Sequence, residues 1–466
     1  MIGSGTLTKT LTSYFARVGY DALNDDAIRS TKEHILYTLG TVLAGSSAPG
    51  AEEVFTGARA FGAGNESTVL VRGEKLPAPA AALVNATMAH SRELDINDDR
   101  IAYKSTVAVV PAALALAEKI GGVSGKDFLA AVCVGVDFGI RLGLATNPKP
   151  VHAQAIALGP LAAAVACGKV LRLDESGMAD TLGIAYCRVS FTGNSTVSPS
   201  LTKRLGIGFA AQSGVLAALL ARAGFPGAGE VLQGRGGYFN FFYRQEGDYD
   251  AITDQLGSRF EIVEVGPKPF PSCRYTHPAV TGVLKLLREH SIRSEDIEEV
   301  RVHIGERDMR SVGGWTDEDK KKKYRPEGVV DAQFSIPYTV AATLLFGRLS
   351  LEEFTEAKLR SEQVLAMAGR VKTVLDPELD KGPMDVKPQL VEIMTRAKKS
   401  FSERVEYPRG NPKNPVTSDE LVKSFGVMAG YAAKPLAKAK IDDATDFVLG
   451  LEKVQDVAAI APLLSA

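Results

Sequence analysis

Four long stretches of this chain are apolar on almost every side, and few folds can accommodate them. Val107 to Ile120, Lys126 to Leu144, Ala153 to Leu171 and Gly208 to Ala223 are dominated by Ala, Gly and other apolar residues. A helix without a polar face has to be buried on most sides, and small residues let such helices cross closely. No window approaches ~18 uninterrupted apolar residues, so membrane crossing is not expected. The segment Asp26 to Leu43 places Ile28, His34, Ile35, Tyr37, Leu39 and Val42 at helical spacing ahead of a terminating Gly45. The first half of the chain therefore reads as a core of several crossing helices.

Near Phe260 the period changes. Arg259 to Val265 and Ile297 to Ile304 alternate apolar and polar residues, as do Leu390 to Thr395 and Ser400 to Tyr407, the last two joined by a short turn. His277 to His290 and Ser350 to Met367 read as helices between these strands. Pro408 to Pro415 is a stiff polar linker, and Thr417-Ser-Asp-Glu is a capping box ahead of the helical Leu421 to Ala433. A last helix is expected from Asp443 to Ala459. The expected fold is mainly α: a large all-helical domain, 1–267, completed by 405–466, with a smaller α+β lid domain, 268–404, inserted before the C-terminal helices. The cleft between the two is the default ligand site.

Charge excludes some functions. With 54 Lys+Arg against 55 Asp+Glu in 466 residues, no excess of cations exists to neutralise nucleic-acid phosphates. Apolar residues at 45% and charged residues at 23% are those of a folded globular protein. The basic run Lys320 to Lys323 follows Asp317, Glu318 and Asp319 and reads as a solvated loop. Cys133, Cys167, Cys187 and Cys273 show no CxxC pair, so neither a zinc site nor a disulfide framework is suggested. The first residues lack a basic region followed by a long apolar one. A soluble, cytoplasmic protein is expected.

Chemistry concentrates in a few segments. His90-Ser-Arg-Glu-Leu-Asp95-Ile-Asn-Asp98-Asp99-Arg100 puts many charges between two buried helices, which points to a polar pocket, although acidic residues at a helix start are often caps. Asp and Asn can coordinate Mg2+, but the run has neither an EF-hand nor a His–carboxylate spacing, and no metal is expected. His152 precedes a long Ala-rich stretch, where a helix N-terminus would keep it neutral; a structural histidine is the alternative. Thr202-Lys203-Arg204 enters another buried helix and suits an anion, unless Lys203 is only an exposed loop residue. Pro267-Lys268-Pro-Phe-Pro-Ser-Cys273-Arg-Tyr-Thr-His277 packs Lys268, Cys273 and His277 around stiffening prolines at the domain junction. Tyr338, in Gln333-Phe-Ser-Ile-Pro-Tyr, would by itself read as core. Gln233-Gly-Arg-Gly-Gly follows no strand, so dinucleotide binding is unsupported, and no Walker or Gly-x-Ser-x-Gly motif occurs.

Taken in order, Leu39-Gly…Leu43-Ala-Gly, Leu94-Asp95-Ile-Asn-Asp98, Val151-His152-Ala, Thr202-Lys203-Arg-Leu, Lys268-Pro-Phe-Pro-Ser-Cys273…Thr276-His277-Pro and Gln333-Phe-Ser-Ile-Pro-Tyr338 resemble the MmgE/PrpD family over nearly the whole chain. That family contains 2-methylcitrate dehydratases, cis-aconitate decarboxylase and an iminodisuccinate epimerase. The resemblance implies a helical domain plus a lid, a dimer, and no cofactor. It also implies that Asp95, His152, Lys203, Lys268 and Tyr338 line the pocket, with the lysines meeting substrate carboxylates. The family's dehydratases and decarboxylases carry a threonine where this chain has Asp99, a histidine about where Lys104 stands, and, in decarboxylase-like members, another near Cys273.

These departures favour an epimerase. Removing an α-proton from a dicarboxylate needs cations at the carboxylate and a base whose pKa lies near the working pH. Lys104 qualifies if clustered cations and desolvation lower its pKa. With His152 as a base on the other face and Tyr338 or Cys273 as donor, the expected reaction is cofactor-independent epimerisation of a carboxylate-rich amino-acid derivative such as iminodisuccinate, with Asp99 on its amine. A 2-methylcitrate dehydratase-like hydro-lyase and a non-catalytic small-acid-binding protein are the alternatives. Helices apolar all round exceed what one helical layer buries, so a homodimer is expected.

Overall fold

A computed structural model describes residues 7–62, 64–146, 154–190, 201–244 and 247–466. Nine helices described in its first half are α1 (Leu7–Arg17), α2 (Asp25–Gly45), α3 (Ala51–Arg59), α4 (Ala78–His90), α5 (Val109–Ile120), α6 (Gly125–Leu144), α7 (Gln154–Val170), α8 (Glu175–Tyr186) and α9 (Thr202–Arg222). Their starts follow local chemistry: Asn24 accepts from the Ala27 N–H and Ser124 from that of Asp127. Glycines explain how they cross. A Cβ on Gly45 would lie 1.8 Å from the Met88 carbonyl, and one on Gly208 2.2 Å from Thr87 Oγ1. Both α2 and α9 thus touch α4 backbone to backbone, leaving its residues from Ala80 to His90 buried.

Helix α9 is long and apolar enough, by length and composition, to cross a membrane, contrary to the sequence expectation. The mean hydropathy tolerates polar interruptions that the count of uninterrupted residues did not. Of its apolar window 61% is buried, largely against α4 and α7, which accounts for most of its apolarity. Phe209 and Leu216, one helical stripe, remain 45% and 40% exposed.

Two small antiparallel ladders, β1 (Ser67–Thr68) with β2 (Lys75–Leu76) and β3 (Ile96–Asn97) with β4 (Gly266–Pro267), punctuate this domain. The lid is built on β5 (Ile297–Ile304), β6 (Val371–Leu375), β7 (Gln389–Thr395) and β8 (Ser400–Val405), in the order β6-β5-β7-β8, with β5 and β6 parallel and the other pairs antiparallel. Along β7 buried and half-buried residues alternate, and α10 (His277–His290) and α11 (Ile336–Phe346) cover the sheet. Then α12 (Ser418–Ala429), started by the Thr417–Glu420 capping box, and α13 (Lys438–Leu449) return to the helical domain. Leu421, Phe425, Ala444 and Val448 join its core.

The architecture is a mainly helical fold with an α+β C-terminal region. Some local expectations fail. Arg259 to Val265 is not a strand but contains a 3-10 turn, Glu261–Glu264. Glu261 points inward: its N–H donates to Asp137 Oδ1 at 2.6 Å, and its carboxylate takes Arg100 and Arg259. Ser350 to Met367 breaks into Leu351–Phe354, Glu356–Leu359 and Glu362–Ala368. The basic run is the end of a capped helix, Asp317–Tyr324. Strand β6 had no clear alternation to announce it.

Because the α4 contacts are made by backbone, they cannot relax. Gly208→Val should destabilise the protein by ~1–3 kcal/mol or more through overpacking. Gly57→Ala, with nothing within 4 Å of the new Cβ, should stabilise α3 by about 0.5–1 kcal/mol. Urea unfolding of the two variants measures the contrast.

Candidate active site

The site forms where α4 ends. Its last residue, His90, leads into a turn at Glu93, whose backbone is left-handed (φ 55), and then into β3. Pairing of Ile96 with Pro267 sets the next step, since it lets the Lys268 N–H donate to the Asp95 carbonyl at 3.1 Å. This two-residue ladder is possible because β4 runs under the 408–414 turn, where a Cβ on Gly266 would lie 1.8 Å from the Gly410 carbonyl. The Lys268 side chain is thereby placed over the 93–95 segment.

Four buried or nearly buried charges meet there. Lys268 Nζ lies 2.9 Å from Asp95 Oδ2 and 3.1 Å from Glu93 Oε2, and Lys203, from the first turn of α9, is paired with Glu93 Oε1. Lys203 also stands 4.9 Å above the Phe334 ring. Asp95 Oδ1 accepts from His90 Nδ1 at 2.6 Å. That bond assigns the proton to Nδ1 and leaves Nε2 as the acceptor. Burial disfavours the charged forms of Glu93 and Asp95, but the lysines and His90 outweigh it and hold both carboxyls below the usual range. Burial would lower Lys268, yet Asp95 and Glu93 raise it, so its ammonium is held between two carboxylates.

Lys104 is the added charge. A bridge between Asp98 and Tyr103 closes the loop before it, and its Nζ donates to the Ala102 carbonyl at 2.9 Å, Ala102 itself being left-handed (φ 50). Burial, then Lys268 and Lys203, push its ammonium down to about 8. Burial raises the Cys273 thiol, which feels Glu93, Lys104 and Lys203; it is protonated and belongs to the same pocket. Gln333 steadies that segment, its carbonyl accepting from the Cys273 N–H at 2.9 Å and its Nε2 donating to the Pro271 carbonyl at 2.9 Å.

Asp95, Lys104, Lys203, Lys268 and Cys273 are thus brought together. Three expected site residues are engaged within the protein instead. Asp99 was expected to meet a substrate amine, but its carboxylate takes Arg274 through two bonds of 2.7 Å, Asn97 at 2.8 Å and Asn411 at 2.8 Å. It is a strut between domains. Tyr338 donates to the Glu353 carbonyl at 2.6 Å inside the lid core. His277 spends Nδ1 on Arg274 at 3.1 Å and lies with Nε2 3.4 Å from the Ser272 carbonyl, kept neutral by burial and by the Arg274 charge. His152 lies outside the described residues. Sequence reading passed over Glu93 and His90 as members of an acidic run, and over Arg274. Among the described residues no group of three His, Cys, Asp or Glu side chains is arranged to hold a metal ion.

The struts and the core hydroxyl make separable predictions. Asp99→Ala leaves the buried Arg274 guanidinium uncompensated and should cost about 3–5 kcal/mol in denaturant unfolding. Tyr338→Phe should cost only ~0.5–1.5 kcal/mol and leave turnover unchanged, an outcome that steady-state kinetics on the same preparation checks.

Comparison with known proteins places the chain among two-domain relatives. A cis-aconitate decarboxylase of Aspergillus terreus is 26% identical over 98% of this chain and 96% of its own length. Those of Mus musculus and Homo sapiens are 27% and 26% identical over 98% of this chain, covering 94% and 95% of theirs. Residues 9–249 match the MmgE/PrpD N-terminal domain and residues 270–446 the MmgE/PrpD C-terminal domain. With both domains matched in order across most of its length, the chain belongs to the MmgE/PrpD family of enzymes.

Proposed function

We propose that the chain is a cofactor-independent lyase acting on a small, carboxylate-rich acid, with Lys203 and Lys268 receiving substrate carboxylate and Lys104 moving the proton at the adjacent carbon. The observation that carries this reading is a cluster of three lysines in which Lys104 is pushed down to about 8 beside Lys203 and Lys268, each of these paired with a carboxylate. Near neutral pH such a group exists in both forms, so it can take a proton as amine or deliver one as ammonium. If water leaves, neutral Lys104 takes the α-proton, the C–H electrons pass to the carboxylate as an enediolate steadied by the two lysines, and their return expels hydroxide, which takes that proton back from the Lys104 ammonium and departs as water. If CO2 leaves, the C–C electrons stay on carbon and the Lys104 ammonium protonates it.

The epimerase expected from the sequence has less support. It needs a base on each face of the carbon; His152, named for the second, is outside the described residues, and the Tyr338 hydroxyl is engaged with Glu353. The relatives bear the name of a decarboxylase, which favours loss of a group over inversion. Such an acid-base role also explains how Lys104 serves in place of a histidine. As part of the same reading, two copies associate, with the exposed Phe209 and Leu216 stripe of α9 as the face. Sedimentation at micromolar concentration should then give twice the mass of one chain, and Phe209→Asp with Leu216→Asp should give one.

Proton NMR in D2O decides the class. A new vinyl signal or loss of CO2 is the expected result; solvent deuterium at the α-carbon with all carbons retained would return the protein to the epimerases. Lys104→Ala should lower kcat on the order of 10²-fold or more with little change in KM, and Lys104→Arg should not restore it, since guanidinium keeps its proton. The pH profile then names the leaving group. A rate that rises through about 8 marks the amine as base and water as leaving group, and one that falls through it marks the ammonium as acid. A flat profile, or normal turnover in Lys104→Ala, sinks the assignment.

A further inference from the structure

Glu93 has no place in that chemistry, yet it holds the centre of the site. Its two oxygens are divided between Lys203 and Lys268, the pair that the lyase reading assigns to substrate carboxylate. The side chain is almost fully buried, at 3% exposure. A carboxylate on this pair does what a substrate carboxylate would do, since it satisfies two ammonium groups from different elements, one with each oxygen.

The two acidic partners of the lysines are not held alike. Asp95 accepts from His90 on Oδ1 and, through its carbonyl, from the Lys268 N–H that anchors the β3–β4 ladder, while its Oδ2 faces the Lys268 ammonium at 2.9 Å. Glu93 instead lies in a turn between α4 and β3 with its backbone in the left-handed region (φ 55), a conformation that a non-glycine residue keeps only under restraint from its surroundings. The turn touches the lid, where Gln333 Nε2 lies 3.5 Å from the Arg92 carbonyl. The strained one of the two carboxylates therefore also lies in a turn that touches the lid.

From this asymmetry we infer that Glu93 is an internal substitute for the substrate carboxylate: it occupies the Lys203–Lys268 pair when the pocket is empty and is displaced by the incoming acid, so that it sets the affinity and release of anionic ligands. The inference rests on the reading of the two lysines as the substrate's carboxylate site. Its physical advantage is that the Lys203–Lys268 pair always carries a carboxylate, so that charge buried in the site is not left uncompensated, which would be costly. Its consequence is self-competition, because only the fraction of molecules with Glu93 withdrawn accepts an anion, and apparent affinity falls by that fraction.

The test uses succinate as a probe dicarboxylate and isothermal calorimetry on the full-length protein. Glu93→Gln keeps the shape and removes the charge. It should bind succinate more tightly, by about tenfold, and in turnover it should lower KM and kcat together as release slows. Glu93→Asp, too short to span both lysines, should tighten binding less. Succinate affinity that is unchanged or weaker in Glu93→Gln overturns the inference while leaving the lysine site intact. If neither wild type nor variant binds succinate, the reading of the lysines fails with it. A measurement on the wild type does not depend on either variant folding. Amide exchange in residues 91–94 should change when succinate is added, and a silent turn at saturating succinate would show that Glu93 stays in place.

Discussion

The buried Asp99–Arg274 pair is the interaction on which the rest of the site depends. Arg274 belongs to the segment entering the lid and Asp99 to the helical domain, and two bonds of 2.7 Å join them. Asn411, on the returning chain, bonds the same carboxylate, while the Asp99 carbonyl accepts from the Asp385 and Val386 N–H groups. One residue thus ties together the helical domain, the lid and the C-terminal return. A bidentate pair of this kind fixes orientation as well as distance, so the loop from Asp98 to Lys104 and the segment from Lys268 to His277 are held in one register. Lys104 faces Lys268 because Asp99 faces Arg274.

Charge compensation explains why so polar a site sits between such apolar helices. An isolated buried ion is expensive and a paired one tolerable, and the buried carboxylates here have their partners: Asp99 with Arg274, Asp95 with His90 and Lys268, Glu93 with Lys203 and Lys268. Asp137 and Arg141, one turn apart on α6, repeat the arrangement at 2.8 Å and anchor the 252–261 segment through the carbonyls of Ile252, Asp254 and Arg259. The helices supply a rigid, water-poor frame, and the ion pairs supply the exact complement of charge that lets the frame close over them.

What could be read from the sequence follows from what is local. Helices apolar all round, the Thr417 capping box and the alternation along β5, β7 and β8 depend on neighbours in the chain, and all three appear in the structure. The segment containing Glu261 alternates as a strand would, but its fate was set by Asp137 and Arg100, both more than a hundred residues away. The site shows the same division. Residue type announced that Asp95, Lys203 and Lys268 were charged and placed at junctions; it could not say that Asp99 would be consumed by Arg274, 175 residues distant, or that Glu93 would bridge the lysines. Tyr338 carries an OH in an apolar helix, a pattern that fits a donor to substrate as well as a donor to Glu353, and only packing distinguishes them.

Placing a lysine rather than a histidine at the proton-transfer position changes how the base is controlled. An imidazole is near its useful pKa without help, whereas Lys104 owes its depression to burial and to Lys268 and Lys203. Its basicity is therefore coupled to whatever sits on those two lysines. A substrate carboxylate arriving beside them adds negative charge near Lys104, which raises its proton affinity. If Glu93 leaves the pair, a negative charge near Lys104 is lost, which lowers it again. Exchange of one carboxylate for another leaves Lys104 near the value it had in the free site, so a second carboxylate on the substrate, rather than the first, is what tips the group toward holding its proton. In the proposed lyase, proton transfer by Lys104 would in this way depend on the full charge of the bound acid.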